Sequence, residues 1–213
     1  MKLISLIGGN ATGKSTRMTK VIDSLGEVYE PIIFMKKEVG RKYSCGISVI
    51  GKRTKEGKWV SMDSFPTNDW QKRFEFFEEL ANDQKIHTLL IEGYFNMCAV
   101  ASRPSFWHQH GYDELQFYFF IYDDVNKFLA RVNERLDGKK TRDIDWAKDS
   151  SGWKDNCGRI KNAYEAFTID KSECDIVTRL DVDIDVYYFV DLLGLEHKEF
   201  GSKQKTNSIL SFL

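Results

Sequence analysis

The chain has 213 residues, of which 42% are hydrophobic and 30% are charged, and its formal net charge is −1. These values are typical of one globular domain and exclude a strong overall basic field, so nucleic-acid binding would need a local basic patch. No apolar run reaches the roughly 18 residues of a membrane span, and the scattered cysteines suggest neither zinc nor a redox dithiol. We therefore expect a cytoplasmic protein with no membrane partner.

Alternating strands and helices are predicted over residues 1–195, followed by a tail over residues 196–213. Short apolar runs predict strands at residues 3–8, 31–35, 46–52, 58–65, 87–93, 115–122 and 174–180. Helical periodicity predicts helices at residues 13–26, 67–84, 123–138, 156–170 and 181–195, with Gly26 closing the first and Thr67 capping the second. This alternation predicts an α/β fold with a parallel sheet, whose ligands sit at the carboxyl ends of the strands.

Residues 36–65 depart from this alternation, because two strand-like stretches flank the polar turn "RTKEG" and predict a β-hairpin insertion. This segment carries eight basic side chains against three acidic ones, with aromatic residues interleaved. Cations alternating with aromatics fit a groove that follows a nucleic-acid backbone and stacks bases. A solvated hairpin whose lysines discourage edge pairing is the alternative. The candidate acceptor-binding residues are Tyr43, Lys52, Arg53, Lys55, Lys58 and Trp59.

The most specific motif is "GGNATGKST" at residues 8–16, which has the Walker A spacing and lies between a predicted strand and a predicted helix. Glycines let the backbone N–H groups approach phosphate oxygens, and the helix N-terminus adds a positive end. Lys14 is expected to reach the β- and γ-phosphates and Ser15 to ligate Mg²⁺. The predicted nucleotide-binding residues are Gly8, Asn10, Ala11, Thr12, Gly13, Lys14, Ser15 and Thr16.

Two carboxylates are candidates for the remaining chemistry. Glu92 ends the apolar run "TLLIEG", where it is expected to bind a Mg²⁺ water or the acceptor, with a simple strand-end acid as the alternative. Asp63, in "VSMDSF", is either a general base toward an acceptor hydroxyl or a turn aspartate. Asp123 and Asp124 are expected to cap the helix that follows them.

The chain resembles the P-loop kinases of the nucleoside and nucleotide kinase type. The resemblance lies in its size, its N-terminal Walker A motif and the polar segment that follows an arginine-bearing helix. It implies a P-loop NTPase fold of three layers with a five-stranded parallel sheet, one kinase domain over residues 1–195, and ATP and Mg²⁺ as cofactors. The sequence contains no "NKxD" guanine motif and no transporter signature, which favours a kinase over a GTPase or a transporter ATPase.

The same resemblance implies that residues 136–156 form a lid whose arginines fold over the phosphates. Arg135 and Arg142 are the preferred lid residues, and solvated helix surface is the alternative for each. Basic residues clustered around this segment are Arg131, Arg135, Lys139, Lys140 and Arg142.

The arrangement "VIGK…WVSMDSF" is similar to a group of phage P-loop kinases that phosphorylate 5-hydroxymethyluracil in DNA. This similarity implies a host-cytoplasmic enzyme whose acceptor is a modified base that leaves the duplex. A pocket for that base would be lined by Trp107, His108 and Tyr112. Two alternatives stay open: a kinase of free nucleosides or nucleotides such as a dNMP, and a P-loop module that uses the nucleotide as a conformational switch.

Overall fold

The structure is a computed structural model that describes residues 1–9, 11–54, 59–60, 65–93, 104–136, 141–149, 153, 158–169 and 174–198. Within these ranges the strands are β1 Lys2–Gly8, β2 Glu30–Phe34, β3 Lys37–Lys42, β4 Ile47–Ile50, β5 Lys52–Arg53, β6 Trp59–Val60, β7 Thr88–Gly93, β8 Glu114–Phe120 and β9 Ile176–Leu180. The helices are α1 Lys14–Leu25, α2 Trp70–Ala81, α3 Pro104–Gln109, α4 Val125–Leu136, α5 Ile144–Asp149, α6 Ile160–Ile169 and α7 Tyr188–Leu192.

The central sheet has seven strands in the order β2-β3-β4-β7-β1-β8-β9. The five strands from β4 to β9 in this order are parallel to their neighbours, whereas β2 and β3 pair in antiparallel fashion. The α/β class and the mostly parallel sheet are confirmed. The expected count of five strands is wrong, because β2 and β3 extend the sheet beyond β4.

The predicted hairpin insertion is smaller than residues 36–65. β3 and β4 belong to the central sheet, and only β5 and β6 pair separately as a two-stranded ribbon. All four residues of β4 are buried, as expected for a strand covered on both faces. Residues 55–58 and 61–64 lie outside the described residues.

Helices cover both faces of the sheet and give three layers. In β1, Leu3 and Ile7 point to one core while Ile4 and Leu6 point to the other, following the alternation of a β-strand. Residues of α2, α3 and α6 pack in the first core, and residues of α1, α4, α5 and α7 pack in the second. The loop between β1 and α1 is thus held on a strand that is buried on both faces.

Helix ends differ from the predictions where aspartates bond to nearby backbone. α1 ends at Gly26 as predicted, but the N-cap of α2 is Asp69, whose carboxylate accepts from Gln71 N. The last helix is confined to α7, because Asp181 and Asp185 accept hydrogen bonds from backbone N–H groups in the preceding turns.

The short α3 and α5 fall in segments where no helix was predicted. In the described part of the chain, no helix has both the length and the apolar character to cross a membrane.

Candidate phosphate-binding site

The loop of residues 9–13 lies where the sheet topology forms a crevice. The chain leaves β1 toward β4 and β7 on one side and later returns to β8 and β9 on the other side. Ligands of open parallel sheets bind at this change of direction, outside the carboxyl ends of the strands. The position of the loop is therefore that of a ligand site.

Gly8 brings this loop close to the neighbouring strand. It pairs with Phe120 of β8, and a Cβ at position 8 would lie 2.9 Å from the Phe120 Cβ and 3.0 Å from the Thr12 Oγ1. A larger side chain would push β8 or the loop away, so this position requires glycine.

The loop then takes a backbone path suited to anions. Ala11 and Gly13 both have positive φ, at 58° and 77°, and such residues place successive N–H groups around a concave site. α1 begins without a side-chain cap and without an acidic residue in its first turn. The N–H groups of that turn have no acceptor within the helix, and the helix dipole makes this end positive. The cradle therefore favours a negatively charged ligand.

Lys14 is held against this loop rather than in solvent. It is 8% exposed, and its Nζ donates to Gly9 O at 2.8 Å and to Thr12 Oγ1 at 3.2 Å. The Thr12 hydroxyl in turn donates to Gly9 O at 2.9 Å. A cation in the first turn of a helix is unfavourable to that helix, so its placement here fits binding of an anion rather than stability.

Ser15 meets the carboxylate that ends the neighbouring strand. Its hydroxyl donates to Glu92 Oε1 at 3.0 Å, and Glu92 is 5% exposed. The register of β1 and β7 pairs Glu92 with Leu6, two residues before Gly8. Hydroxyl and carboxylate oxygens are ligands that suit Mg²⁺, which usually keeps several waters and phosphate oxygens as its other ligands. The pair fits this ion, although the described residues contain no cluster of three His, Cys, Asp or Glu.

Two further side chains, which the sequence analysis did not predict, donate hydrogen bonds to carbonyl groups of the loop from its buried side. Arg17 is 2% exposed; its Nη1 donates to Thr12 O at 3.3 Å, and its Nη2 donates to Val182 O at 3.1 Å and to Ile184 O. Burial, followed by repulsion from Arg131, lowers the pKa of Arg17. In the sequence, the one indication of a role for Arg17 is that it lies three residues after Lys14 and therefore shares a helix face with it.

Tyr122, two residues beyond β8, is the second of these side chains. It is 4% exposed, and its hydroxyl donates to Ala11 O. The hydrogen bond spans 111 positions of the chain, so no local pattern could have indicated it.

The predicted lid arginines lie on α4 and in the segment that follows it. Arg135 is exposed on α4, and the Arg142 guanidinium lies over the Trp146 ring at 4.6 Å. Arg142 also exchanges two backbone hydrogen bonds with the Asn133 side chain. Arg131 forms an ion pair with Asp183. Arg131 and Arg142 thus link α4 to neighbouring turns. Lys139 and Lys140 lie outside the described residues.

Two aromatic residues of the basic segment do not offer a stacking surface. Tyr43 and Trp59 are 3% and 4% exposed, which corrects the expectation that they stack bases. Arg53 forms an ion pair with Asp23, whereas Lys52 is exposed. The other candidates of this segment, Lys55, Lys58 and Asp63, lie outside the described residues, as does Asn10 of the loop.

The expected pocket around Trp107 is also corrected, because two of its three expected residues are core and only His108 is exposed. Trp107 and Tyr112 are fully buried, and the Tyr112 hydroxyl donates to Phe77 O at 3.0 Å. His108 Nδ1 lies 2.7 Å from Tyr112 O. Trp107 and Tyr112 thus pack α3 and the turn after it against α2, because the Trp107 ring and the Tyr112 hydroxyl both contact Phe77, and they do not line an open site.

The two aspartates after β8 are structural. Asp124 accepts from Asn126 N at 2.8 Å and caps α4 as predicted. Asp123 instead forms an ion pair with Arg179.

A surface cavity of about 250 Å³ lies beside the C-terminal half of α1. It is at the end of the helix opposite the loop, and two arginines line it. Arg53 is paired with Asp23, and the Arg41 guanidinium lies 4.0 Å from the centre of the Tyr29 ring.

Comparisons of the chain with protein-family models, with curated proteins and with solved structures found no match. The fold defines the chain as an α/β protein with a mostly parallel seven-stranded sheet, and the candidate site is the loop at its topological switch point.

Proposed function

We propose that the protein is an ATP-dependent phosphotransferase of the P-loop kinase type. The observation that carries this proposal is that the Walker A residues fold as strand, anion cradle and helix, with Ser15 in contact with Glu92. A glycine-rich turn with a purely structural role would need neither a buried lysine in the first helical turn nor a carboxylate beside the following serine.

The described residues supply the parts that phosphoryl transfer needs, which are positioning and charge neutralisation. The N–H groups of the loop and Lys14 bind the β- and γ-phosphates. Ser15 and Glu92 would hold Mg²⁺, which supplies positive charge at the β- and γ-oxygens when it is bound. Glu92 is nearly buried and lies beside the loop, so it also orients groups that approach the γ-phosphate.

The acceptor is proposed to be a nucleic-acid-type hydroxyl. The resemblance to phage kinases favours the hydroxymethyl group of 5-hydroxymethyluracil in DNA. The burial of Tyr43 and Trp59 removes two stacking surfaces for DNA and favours the second candidate, a free nucleoside or nucleotide. A nucleotide switch without an acceptor is the third candidate.

The donor assignment is tested by incubating the protein with γ-labelled ATP and Mg²⁺. Lys14→Ala should abolish label transfer, because the β- and γ-phosphates lose their cation. The control is Lys20→Ala, which removes another lysine from α1 outside the loop. Substantial transfer by Lys14→Ala would contradict the P-loop assignment.

The acceptor is identified in the same assay by where the label appears. Label in DNA that contains 5-hydroxymethyluracil supports the first candidate, label on free nucleosides or nucleotides supports the second, and slow release of phosphate alone supports the third. If DNA is the acceptor, the triple variant Lys52→Gln, Lys55→Gln, Lys58→Gln should weaken DNA binding and reduce its salt dependence. The control with equal charge is the triple variant Lys72→Gln, Lys148→Gln, Lys161→Gln.

A further inference from the structure

We infer that Tyr122 and Arg17 are positioning residues that aim the N–H groups of the loop at the bound phosphates. This inference rests on the proposed function, because it assigns these residues a role in nucleotide binding. Neither side chain is placed to touch the nucleotide itself; each acts through a carbonyl group of the loop.

The two side chains bind successive peptide groups. The Tyr122 hydroxyl donates to Ala11 O, and Arg17 Nη1 donates to Thr12 O at 3.3 Å. A trans peptide is planar, so its C=O and the N–H of the next residue point in opposite directions. Fixing these two carbonyl groups therefore fixes the directions of the N–H groups of Thr12 and Gly13.

The fixed direction is outward from the packed interior. Tyr122 and Arg17 are 4% and 2% exposed, so the carbonyl groups that they bind point inward. The N–H groups on the other side of the same peptides point away from these buried donors, toward the concave side of the loop. They thus lie beside the N–H groups of the first turn of α1, which have no acceptor within the helix.

Arg17 is further restrained at its other end. Its Nη2 donates to Val182 O and Ile184 O, in the segment between β9 and α7. Its guanidinium also lies 5.1 Å from the centre of the Phe120 ring. The loop is consequently fixed from two neighbouring strands before any nucleotide arrives, and such preorganised donors bind charge without a cost of reorientation.

A purely structural role would make a different prediction. If the Tyr122 hydroxyl only stabilised the fold, its loss would lower stability as much as the loss of any other hydrogen bond from a buried hydroxyl. The affinity of the folded protein for nucleotide would then not change. A matched control exists on β8, where Tyr118 is 1% exposed and its hydroxyl donates to Gln116 Oε1 at 3.0 Å.

The experiment compares Tyr122→Phe with Tyr118→Phe. Each is titrated calorimetrically with Mg²⁺-ATP and with inorganic tripolyphosphate, and each is melted without ligand. We expect Tyr122→Phe to raise the Kd of both ligands about tenfold, the effect of one lost hydrogen bond, with unchanged stoichiometry. Tyr118→Phe should keep the wild-type Kd, and the two variants should melt at similar temperatures.

Other outcomes distinguish a failure of the positioning role from a failure of the proposed function. Wild-type affinity in Tyr122→Phe, or a lower stoichiometry at unchanged Kd, would overturn the positioning role and leave the proposed function standing. Wild-type protein that binds neither ATP nor tripolyphosphate would overturn the proposed function itself.

Arg17→Lys is the second variant. It keeps the positive charge but loses the planar guanidinium that donates to the carbonyl groups of Thr12, Val182 and Ile184. It should raise the Kd of both ligands and speed hydrogen exchange at residues 181–187. Unchanged Kd in folded Arg17→Lys would overturn the role of Arg17.

Discussion

Ser15 and Glu92 come from different elements, and their contact ties the loop to the strand beside it. A neutral amide at position 92 would keep the shape of the side chain but lose the negative charge that a magnesium site needs. The side chain is nearly buried, and a buried charge is costly to the fold unless it is compensated. Removing this charge should therefore affect function more than stability.

We predict that Glu92→Gln raises the Mg²⁺ concentration for half-maximal phosphoryl transfer about 10- to 100-fold, while the melting temperature without Mg²⁺ is not reduced. Transfer rates over a Mg²⁺ series measure this effect. The control is Glu114→Gln, at the opposite end of the parallel strands, where the carboxylate pairs with Lys2 at 2.8 Å. An unchanged Mg²⁺ dependence in Glu92→Gln would remove this residue from the proposed magnesium site.

For individual residues, the sequence predicts those whose roles depend on local spacing. Gly8, Gly13, Lys14 and Ser15 lie within eight consecutive positions, and their chemistry is set by one strand–loop–helix turn. Glu92 could be proposed because strand ends of a parallel sheet share an edge. Tyr122 could not be proposed, because its partner is 111 positions away and a tyrosine in a strand more often packs in the core.

Among the elements, α1 has a glycine at each end, and the two glycines differ in their surroundings. Gly13 and Gly26 have φ of 77° and 93°, which both disfavour a side chain. A Cβ at Gly13 would lie 2.5 Å from Arg17 Nη1, whereas a Cβ at Gly26 would meet nothing within 4 Å. Gly13 is left-handed, with ψ of 11°, whereas Gly26 has ψ of −173°, in a backbone region open almost only to glycine. The backbone strain of an alanine is therefore larger at position 26, and the steric conflict is confined to the end that bears the loop.

We predict that Gly13→Ala lowers stability by about 1–2 kcal/mol through its left-handed backbone, and that Gly26→Ala lowers it by about 1–3 kcal/mol because its backbone region is nearly specific to glycine, both measured by denaturant unfolding. Only Gly13→Ala should also weaken Mg²⁺-ATP binding, because it displaces the guanidinium that holds the Thr12 carbonyl group. Equal ATP affinity in the two variants would show that the Arg17 contact does not shape the cradle.

The basic segment shows why element assignment from sequence was only partly right. The polar turn after β4 predicts that this strand pairs with residues 58–65 in a hairpin, and no local pattern reveals that β4 pairs with β7. Tyr43 and Trp59 are buried in the core beside α1. Burial of this kind follows from the order of strands, which the sequence pattern does not contain.

Across the whole molecule, ion pairs join segments that are distant in the chain. Lys42 pairs with Glu30 at 3.0 Å and with Asp83 at 2.9 Å, linking the β2–β3 ribbon to the turn after α2. Lys127 of α4 pairs with Asp181 at 2.8 Å and with Asp183 at 2.7 Å, linking that helix to the turns after β9. The two networks act at opposite edges of the sheet.

These networks lower the pKa of their carboxyl groups. The hydrogen bond from Lys42 is the main cause at Glu30 and Asp83, and the hydrogen bond from Lys127 is the main cause at Asp181 and Asp183. A carboxyl group with a lowered pKa in the folded state takes up its proton at higher pH when the chain is unfolded. Its contribution to stability is thus complete above the unfolded pKa of about 4 and is lost as the pH falls through the lower folded value.

We therefore predict that the free energy of unfolding is nearly constant between about pH 6 and 8 and falls steeply below about pH 4, as measured by urea unfolding over a pH series. The double variant Asp83→Asn, Asp181→Asn should be less stable at neutral pH and should show a shallower acid decline, because two of the protonation sites are gone. Salt should reduce the difference from wild type, since both networks are partly exposed. The control is Glu79→Gln with Asp145→Asn, which neutralises two exposed carboxylates outside these pairs. An acid decline as steep in the double variant as in wild type would contradict the prediction and show that other carboxylates control the acid stability of the fold.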